Sequence, residues 1–352
     1  MLLVVLLLLA SMWPAATAKP AATRVPNPAI VRAATAADDV AHPGAFTEWW
    51  TVRAFDNQGD YVIVSFFDRP EPLIEVRIRD GAYADDLQVP AMVLQVQPQT
   101  GPGVTLATHP DNAPPEPSSL SYYHGAYVVD LGYPRAHGRL VLRPARAGVT
   151  AGPWTTGEEP VGSNAQPRSV PATRWWSVPA ATGTVGGTIQ LDSHRMSIAG
   201  WRGYHDHTWG MFRFTTTSWF HADFALVSPS VSEAWLLYGL EPGIPDGAVY
   251  RYRGDDSLWQ GLLVHVTAGG VNTCRPRVRR SGWLTGQPPG EPTYSVPRAI
   301  RASCGGSALA VSPAFGGRMT FGTVMWAIRI DGTLARGTGW YEHTAPATPP
   351  GP

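Results

Sequence analysis

Three consecutive pieces decide the fold: Glu48-Trp49-Trp50-Thr51-Val52-Arg53-Ala54-Phe55, Asn57-Gln58-Gly59-Asp60 and Tyr61-Val62-Ile63-Val64-Ser65-Phe66-Phe67. β-Branched and aromatic residues crowd the outer two, and a Gly-containing turn joins them. They read as strand, tight turn, strand. Outward from this hairpin, strand-like runs recur at 73–79, 91–96, 125–129 and 139–144. Pro/Gly/Ser-rich stretches at 98–119 and 148–171 read as connections. A second series opens at Trp175-Trp176-Ser177-Val178, and 184–191 with 196–200 form a hairpin around Asp192-Ser193. Further runs follow at 218–227, 234–240, 248–253, 262–267, 308–311 and 324–330. No window carries the 3.6-residue apolar period of a long helix. Short strands between turns predict an all-β protein of antiparallel barrels or sandwiches, and the two series predict two of them.

Composition agrees. The 352 residues balance 27 basic against 27 acidic side chains, so the basic footprint of a nucleic-acid binder is missing. An apolar share of 44% is enough to build a core and argues against global disorder. Fourteen Trp and twelve Tyr point to an aromatic-lined scaffold or ligand cavity.

Residues 1–18 contain the apolar run 2–9, too short for a bilayer span of about 20 residues, and end in Ala16-Thr17-Ala18. This is the pattern of a cleavable export signal, although no Lys or Arg precedes the apolar run. An uncleaved anchor, or a truncated start of a longer protein, is the alternative. No later segment is long and apolar enough to form a transmembrane helix, so a secreted or periplasmic protein is expected. In that setting Cys274 and Cys304, the only two cysteines, suggest a disulfide worth roughly 3 kcal/mol. Two buried thiols or a metal pair are the alternatives, and neither Cys belongs to a CxxC.

The most unusual segment is Gly200-Trp201-Arg202-Gly203-Tyr204-His205-Asp206-His207-Thr208-Trp209-Gly210. If it is extended, Tyr204, Asp206 and Thr208 share one face and His205, His207 and Trp209 the other. A carboxylic acid among imidazoles, a phenol and indoles is suited to moving protons. Burial among aromatic rings favours the neutral acid, the form a general acid needs. Trp175 and Trp176 upstream, Trp219 and His221 downstream, and Gly339-Trp340-Tyr341-Glu342 near the end add aromatic and polar candidates. Aromatic faces stabilise a cation by roughly 0.5–2 kcal/mol each.

Together, Glu48-Trp49-Trp50, Tyr204-His205-Asp206-His207-Thr208-Trp209-Gly210 and Gly339-Trp340-Tyr341-Glu342 resemble the hydroxyneurosporene synthase/carotenoid 1,2-hydratase superfamily. That group includes AttH-type proteins, and kievitone hydratase and some fungal Diels–Alderases look related. The family pattern at the centre is close to Gly-x-Gly-Tyr-His-Asp-His-Asn-Trp-Gly, so Thr208 stands where Asn is usual. The resemblance implies two lipocalin-like β domains side by side, at 46–174 and 175–345, with a ligand cavity near their junction. Residues 19–45 then form a mobile leader and 346–352 a tail. It also implies protonation of a C=C bond by Asp206 with Tyr204 as its partner and His205 and His207 positioning the network. Water or a ring closure captures the cation, with no metal or organic cofactor. Trp175, Trp176, Trp209, Trp219, Glu48, Trp49, Trp50 and Glu342 are the substrate-binding candidates, and the partner is a hydrophobic small molecule, terpenoid or polyketide-like.

Three other readings stay open. His205 and His207 also fit a metal pair, with His221 or Glu342 as a third ligand. The histidines also fit a purely structural network. The cavity also suits a carrier with no chemistry. His42 and the remaining histidines carry no partner motif, and Arg279-Arg280 reads as a solvated face. The export signal makes a first prediction: intact-mass analysis of the exported protein should find a chain beginning at Lys19, and a chain retaining residues 1–18 would contradict it.

Overall fold

A computed structural model describes residues 28–344, except 70–71, 97–102, 109–115, 162–167, 213–219, 243, 247–248, 252–259, 287–293, 305–306, 314–317, 321–322 and 332–335. The expected signal segment and tail lie outside the described residues. Among the described residues the regular structure is β-strand, apart from a single 3₁₀ turn at Ala36–Asp38. No helix among them is long and apolar enough to cross a membrane.

The Trp/Val/Ile-rich run that decides the fold pairs as expected. After a short strand β1 (Ile30–Ala33), β2 (Thr47–Phe55) turns into β3 (Tyr61–Arg69), with Phe55 opposite Tyr61. The turn is held by Asp56 Oδ1, which accepts from the N–H groups of Gln58, Gly59 and Asp60 at 2.7, 2.8 and 2.9 Å. The meander continues through β4 (Leu73–Asp80), β5 (Tyr83–Val96), β6 (Gly103–Thr108), β7 (Glu116–Tyr123), β8 (Ala126–Tyr133) and β9 (Ala136–Arg146). β10 (Val149–Val161) then leads to the 24-residue β11 (Arg168–Leu191), the short β12 (His194–Ser197) and β13 (Trp201–Met211).

These strands make one 13-stranded antiparallel sheet. β13 lies between β11 and β2, and the far end of β11 pairs with β9 from Thr182↔Arg146 to Leu191↔Ala136. The meander therefore returns to its start and closes as a barrel. Gly187 makes the closing contact possible. Its φ is +125°, and a Cβ there would lie 2.0 Å from the carbonyl oxygen of Arg139. Alternate residues point inward, and Trp50, Val52, Val64, Phe66, Val76, Leu106, Leu120, Val129, Leu140 and Ile189 fill the lumen.

The rest of the chain forms β14 (Phe220–Ser230), β15 (Glu233–Pro242), a small hairpin of β16 (Ile244–Asp246) and β17 (Val249–Arg251), then β18 (Gln260–Thr267) and β19 (Gly270–Cys274). β20 (Arg277–Gly286), β21 (Tyr294–Cys304), β22 (Ser307–Pro313), β23 (Arg318–Thr320), β24 (Thr323–Asp331) and β25 (Arg336–Thr344) complete it. The second sheet runs β19-β18-β15-β14-β25-β24-β22-β21-β20. Its two edges, β19 and β20, are consecutive in the chain with only Arg275 and Pro276 between them, so the sheet must curl back on itself. The Cys274–Cys304 disulfide, Cα–Cα 6.2 Å, fastens β19 to β21 across that gap.

The second sheet packs on the outer face of the barrel. Phe55, Ile63, Trp154, Trp176, Val178 and Tyr204 from the barrel share one buried cluster with Leu236, Tyr238, Leu240, Leu262, Val264 and Trp340. Tyr61 meets Trp340 edge-on at 4.5 Å, Trp176 stacks on Tyr238 at 4.6 Å, and Arg202 Nη1 donates to the carbonyl of Ser228 at 2.6 Å.

Several expectations change. The sheet does not switch at 174/175. β11 and β13 belong to the barrel, and the first strand of the other sheet is β14. The connections expected at 98–119 and 148–171 contain β6, the start of β7, β10 and the start of β11. Pro and Gly are tolerated in β10 because Gly152 and Pro153 fall at a register shift between Ala151 and Trp154. Arg280 is buried and only Arg279 is exposed. The leader is structured from β1 onward: β1 pairs with β10, and Asp38 and Asp39 are buried. The fold predicts that the double variant C274S/C304S loses about 3 kcal/mol in urea unfolding, because the closed loop of the unfolded chain is released; an unchanged midpoint would contradict it.

Candidate functional site

β13 is the axis of the site. It is hydrogen-bonded along both edges, with Asp206 opposite Thr51, His207 opposite Trp50 and Ser177, and Trp209 opposite Glu48 and Trp175. Tyr204, His205, Asp206, His207, Thr208 and Trp209 are all buried. The alternation expected from the sequence holds, and it sends two groups of side chains into two different layers.

Asp206 and Tyr204 face the layer between barrel and second sheet. Asp206 Oδ2 accepts from the Tyr204 hydroxyl at 2.9 Å and from Trp176 Nε1 at 3.3 Å, and Arg53 Nη1 lies 3.9 Å away. Oδ1 is buried and accepts no hydrogen bond from the described residues. The Arg53 guanidinium also lies over the Tyr204 ring, 5.4 Å from its centroid. Burial, and after it the neighbouring Asp206 carboxyl, pushes the Tyr204 phenol well above its ordinary range, so it keeps its proton and donates. Around this acid stand Trp176, Tyr238 and Trp154, the last two 5.0 Å apart. Arg174 lies over Trp49, Phe212 and Tyr238 at 5.3, 5.2 and 5.7 Å. On the other side of Asp206 the row is polar. Thr51 meets Ser65 at 3.1 Å, and Glu75 takes Gln88 Nε2 at 2.6 Å as well as Arg77.

His205 and His207 face the barrel lumen, where residues 36–42 cross its mouth. Both nitrogens of His205 face oxygens: Nδ1 the Thr51 carbonyl at 3.0 Å, Nε2 the Asp39 carboxylate at 3.0 and 3.1 Å. These oxygens only accept, so the ring carries two hydrogens and a positive charge. Burial works to lower its pKa, but Asp39 and the Thr51 carbonyl outweigh it and the net shift is upward. Tyr127 packs 4.3 Å from His205, and burial with Asp39 raises its phenol pKa. His207 Nδ1 bonds the Asp38 carbonyl at 2.9 Å and Nε2 meets Glu48 Oε1 at 3.0 Å, while its ring stacks on Trp50 at 4.5 Å. The indole of Trp50 donates to the carbonyl of Asp39 at 3.1 Å. Asp38 itself holds Arg32 and the hydroxyl and N–H of Thr35. Burial opposes its ionisation, but these bonds bring its pKa down to about 2.

Of the expected residues, Asp206, Tyr204 and Trp176 meet in the inter-sheet layer, with Trp49 farther along the same face. Glu48, Trp50, His205, His207 and Trp209 meet in the lumen. Trp175 belongs with the second set, parallel to Trp209 with centroids 5.9 Å apart. Trp219 lies outside the described residues. Glu342 sits on β25 opposite Phe224 and Met325, with its side chain outside what is described. The described partners of His205 and His207 are Asp39 and Glu48. Four residues were missed: Arg53, Arg174, Asp39 and His42. For Asp39 a signal exists, two adjacent acids in an otherwise Ala/Pro/Thr-rich stretch. For the two arginines there is none, since strand alternation puts one on a wet or a buried face with equal ease.

The chain is thus an all-β protein with a filled barrel, a second sheet on its outer face and a buried acid between them. No protein-family model matches the sequence, and no curated protein matches it. Among solved structures, kievitone hydratase from Nectria haematococca is similar with a TM-score of 0.54 at 9% identity, over 94% of this chain and 98% of that one. A putative AttH from Nitrosomonas europaea aligns with a TM-score of 0.47 at 13% identity, over 87% of this chain and 94% of that one. The likeness to the hydratase is one of fold and spans both sheets. The buried pair on the lumen side gives the second structural prediction. Asp39→Ala leaves the His205 cation without its partner and should cost about 3–5 kcal/mol in chemical unfolding; a cost under about 1 kcal/mol would show that the pair is not an ionic clamp.

Proposed function

We propose that this protein is an exported enzyme of the hydratase or cyclase type that acts without an organic cofactor on a hydrophobic alkene, terpenoid or polyketide-like. The single observation that carries the reading is Asp206: a buried carboxyl, held at Oδ2 by Tyr204 and Trp176, with Oδ1 engaged by no described residue. In the first step Asp206 acts as the acid and transfers a proton from its oxygen to one alkene carbon. The π pair forms the new C–H bond, the other carbon becomes a cation, and Asp206 becomes a carboxylate. Arg53, 3.9 Å away, stabilises that carboxylate as it forms, and the faces of Trp176 and Tyr204 stabilise the cation. Water then adds through oxygen and returns one proton to Asp206, or a second double bond of the substrate closes a ring and a proton is lost to Asp206. Either path regenerates the acid. The Cys274–Cys304 disulfide supports an extracytoplasmic setting.

A carrier for an apolar molecule is the second reading, favoured by how completely Tyr204, Trp176 and Arg53 enclose the Asp206 carboxyl. Both readings place the ligand between the sheets, because side chains occupy the lumen. The test begins with organic extraction and native mass spectrometry of the purified protein to identify what it holds, followed by turnover of that compound. Asp206→Asn should lower kcat by about 10²–10⁴-fold with KM and circular dichroism unchanged. Retained turnover removes Asp206 as the acid, and binding without turnover by the unaltered protein favours the carrier.

A further inference from the structure

On the lumen side of β13, away from Asp206, three potential metal ligands converge. Glu48 Oε1 lies 3.0 Å from His207 Nε2 and 3.1 Å from His42 Nδ1, and the three atoms all lie within 4.8 Å of one another. His207 is oriented from behind: Nδ1 bonds the Asp38 carbonyl at 2.9 Å, which turns Nε2 toward Glu48, so that a bound metal ion would take the place of a proton on Nε2. His42 is oriented by stacking on Trp209, with centroids 4.0 Å apart and planes 3° from parallel. Its backbone N–H donates to Glu48 Oε1 at 2.8 Å and steadies the carboxylate.

A second observation comes from the other oxygen. Glu48 Oε1 is faced by three nitrogens, His207 Nε2, His42 Nδ1 and the His42 backbone N–H, which fixes the carboxyl in place. Yet Glu48 is fully buried, and Oε2 accepts no hydrogen bond from the described residues. A buried carboxyl oxygen without a partner is costly and calls for a cation. The His42 side chain is 29% exposed, which leaves an approach from solvent.

We propose that His42, Glu48 and His207 bind one divalent transition-metal ion of the zinc class at the mouth of the barrel. Two imidazoles and one carboxylate suit such an ion and do not suit calcium or magnesium, which take oxygen ligands. The ion joins the segment that carries His42 to β2 and β13, and an open position on the His42 side remains for water. The ligand set differs from the pair legible in the sequence, because His205 is taken up by Asp39 and His42 takes its place. The site is independent of the acid chemistry proposed for Asp206, which lies on the opposite face of the strand.

The test uses the full chain without a histidine tag, stripped with a chelator and dialysed. Zinc is titrated by calorimetry, and cobalt by its visible absorption, on the unaltered protein, on His42→Ala and on His265→Ala. The last removes a half-exposed His–Glu pair elsewhere, His265 with Glu233 at 2.7 Å, as a control for casual surface binding. Expected is one equivalent of zinc on the unaltered protein and on His265→Ala, with binding at least about 100-fold weaker in His42→Ala of unchanged circular dichroism. Absence of stoichiometric zinc binding, or equal affinity in His42→Ala, would overturn the proposal. If His42→Ala loses its fold, His42→Gln, which keeps a polar side chain at this partly exposed position, is read by the same criteria.

Discussion

β13 is paired along both edges, and that constraint organises everything else in the molecule. A strand held by β2 on one side and β11 on the other cannot rotate. Its side chains must leave alternately through its two faces. Tyr204 and Asp206 are thereby committed to the layer under the second sheet, His205 and His207 to the barrel lumen. One residue of slip would exchange the two sets, placing an acid among the lumen's Val and Leu side chains and two imidazoles against Tyr238. The glycine after the motif helps hold the register. Gly210 has φ +155°, and a Cβ there would lie 2.0 Å from the carbonyl oxygen of Thr173.

The two faces have different physical characters. In the lumen, charges are arranged as closely paired opposites. His205 with Asp39 is enclosed completely, and each ring nitrogen has an oxygen to meet. Such a network is costly to break and gives little by itself, so its value lies in specifying where residues 36–42 must lie. In the inter-sheet layer Asp206 is set among large rings and is only partly engaged, with Oδ1 accepting no hydrogen bond from the described residues. The His205–Asp39 pair suits support, and a partly engaged acid beside aromatic faces suits chemistry. The difference between the layers is why the functional proposal rests on one side of the strand and the proposed metal site on the other.

Much of this was legible from residue order. The β2–β3 hairpin follows from its aromatic and β-branched runs and the Gly59 turn. The β11–β12 hairpin follows from Asp192-Ser193, and the facing of Tyr204 with Asp206 follows from the period of two. Among the strands that escaped notice, β6 and β10 are rich in Gly, Pro, Ala and Thr, and their pairing is stabilised by neighbours distant in the chain. The ordered state of residues 30–42 escaped for the same reason. Asp38 and Asp39 have the look of solvated acids until Arg32, Thr35 and His205 are seen around them.

Residue order alone therefore determined the all-β class, the strand faces of the Tyr204–Trp209 run and, through an even cysteine count, the Cys274–Cys304 pair. These are local or compositional properties, set by alternation, turn chemistry and the count of cysteines. Tertiary structure decided the partners. It brought Arg53 and Trp176 to Asp206, Asp39 to His205, and His42 with Glu48 to His207, and it kept β11 and β13 in the barrel instead of the second sheet. Partners across a sheet depend on register and on closure of the barrel, and those are set by the packing of the whole chain.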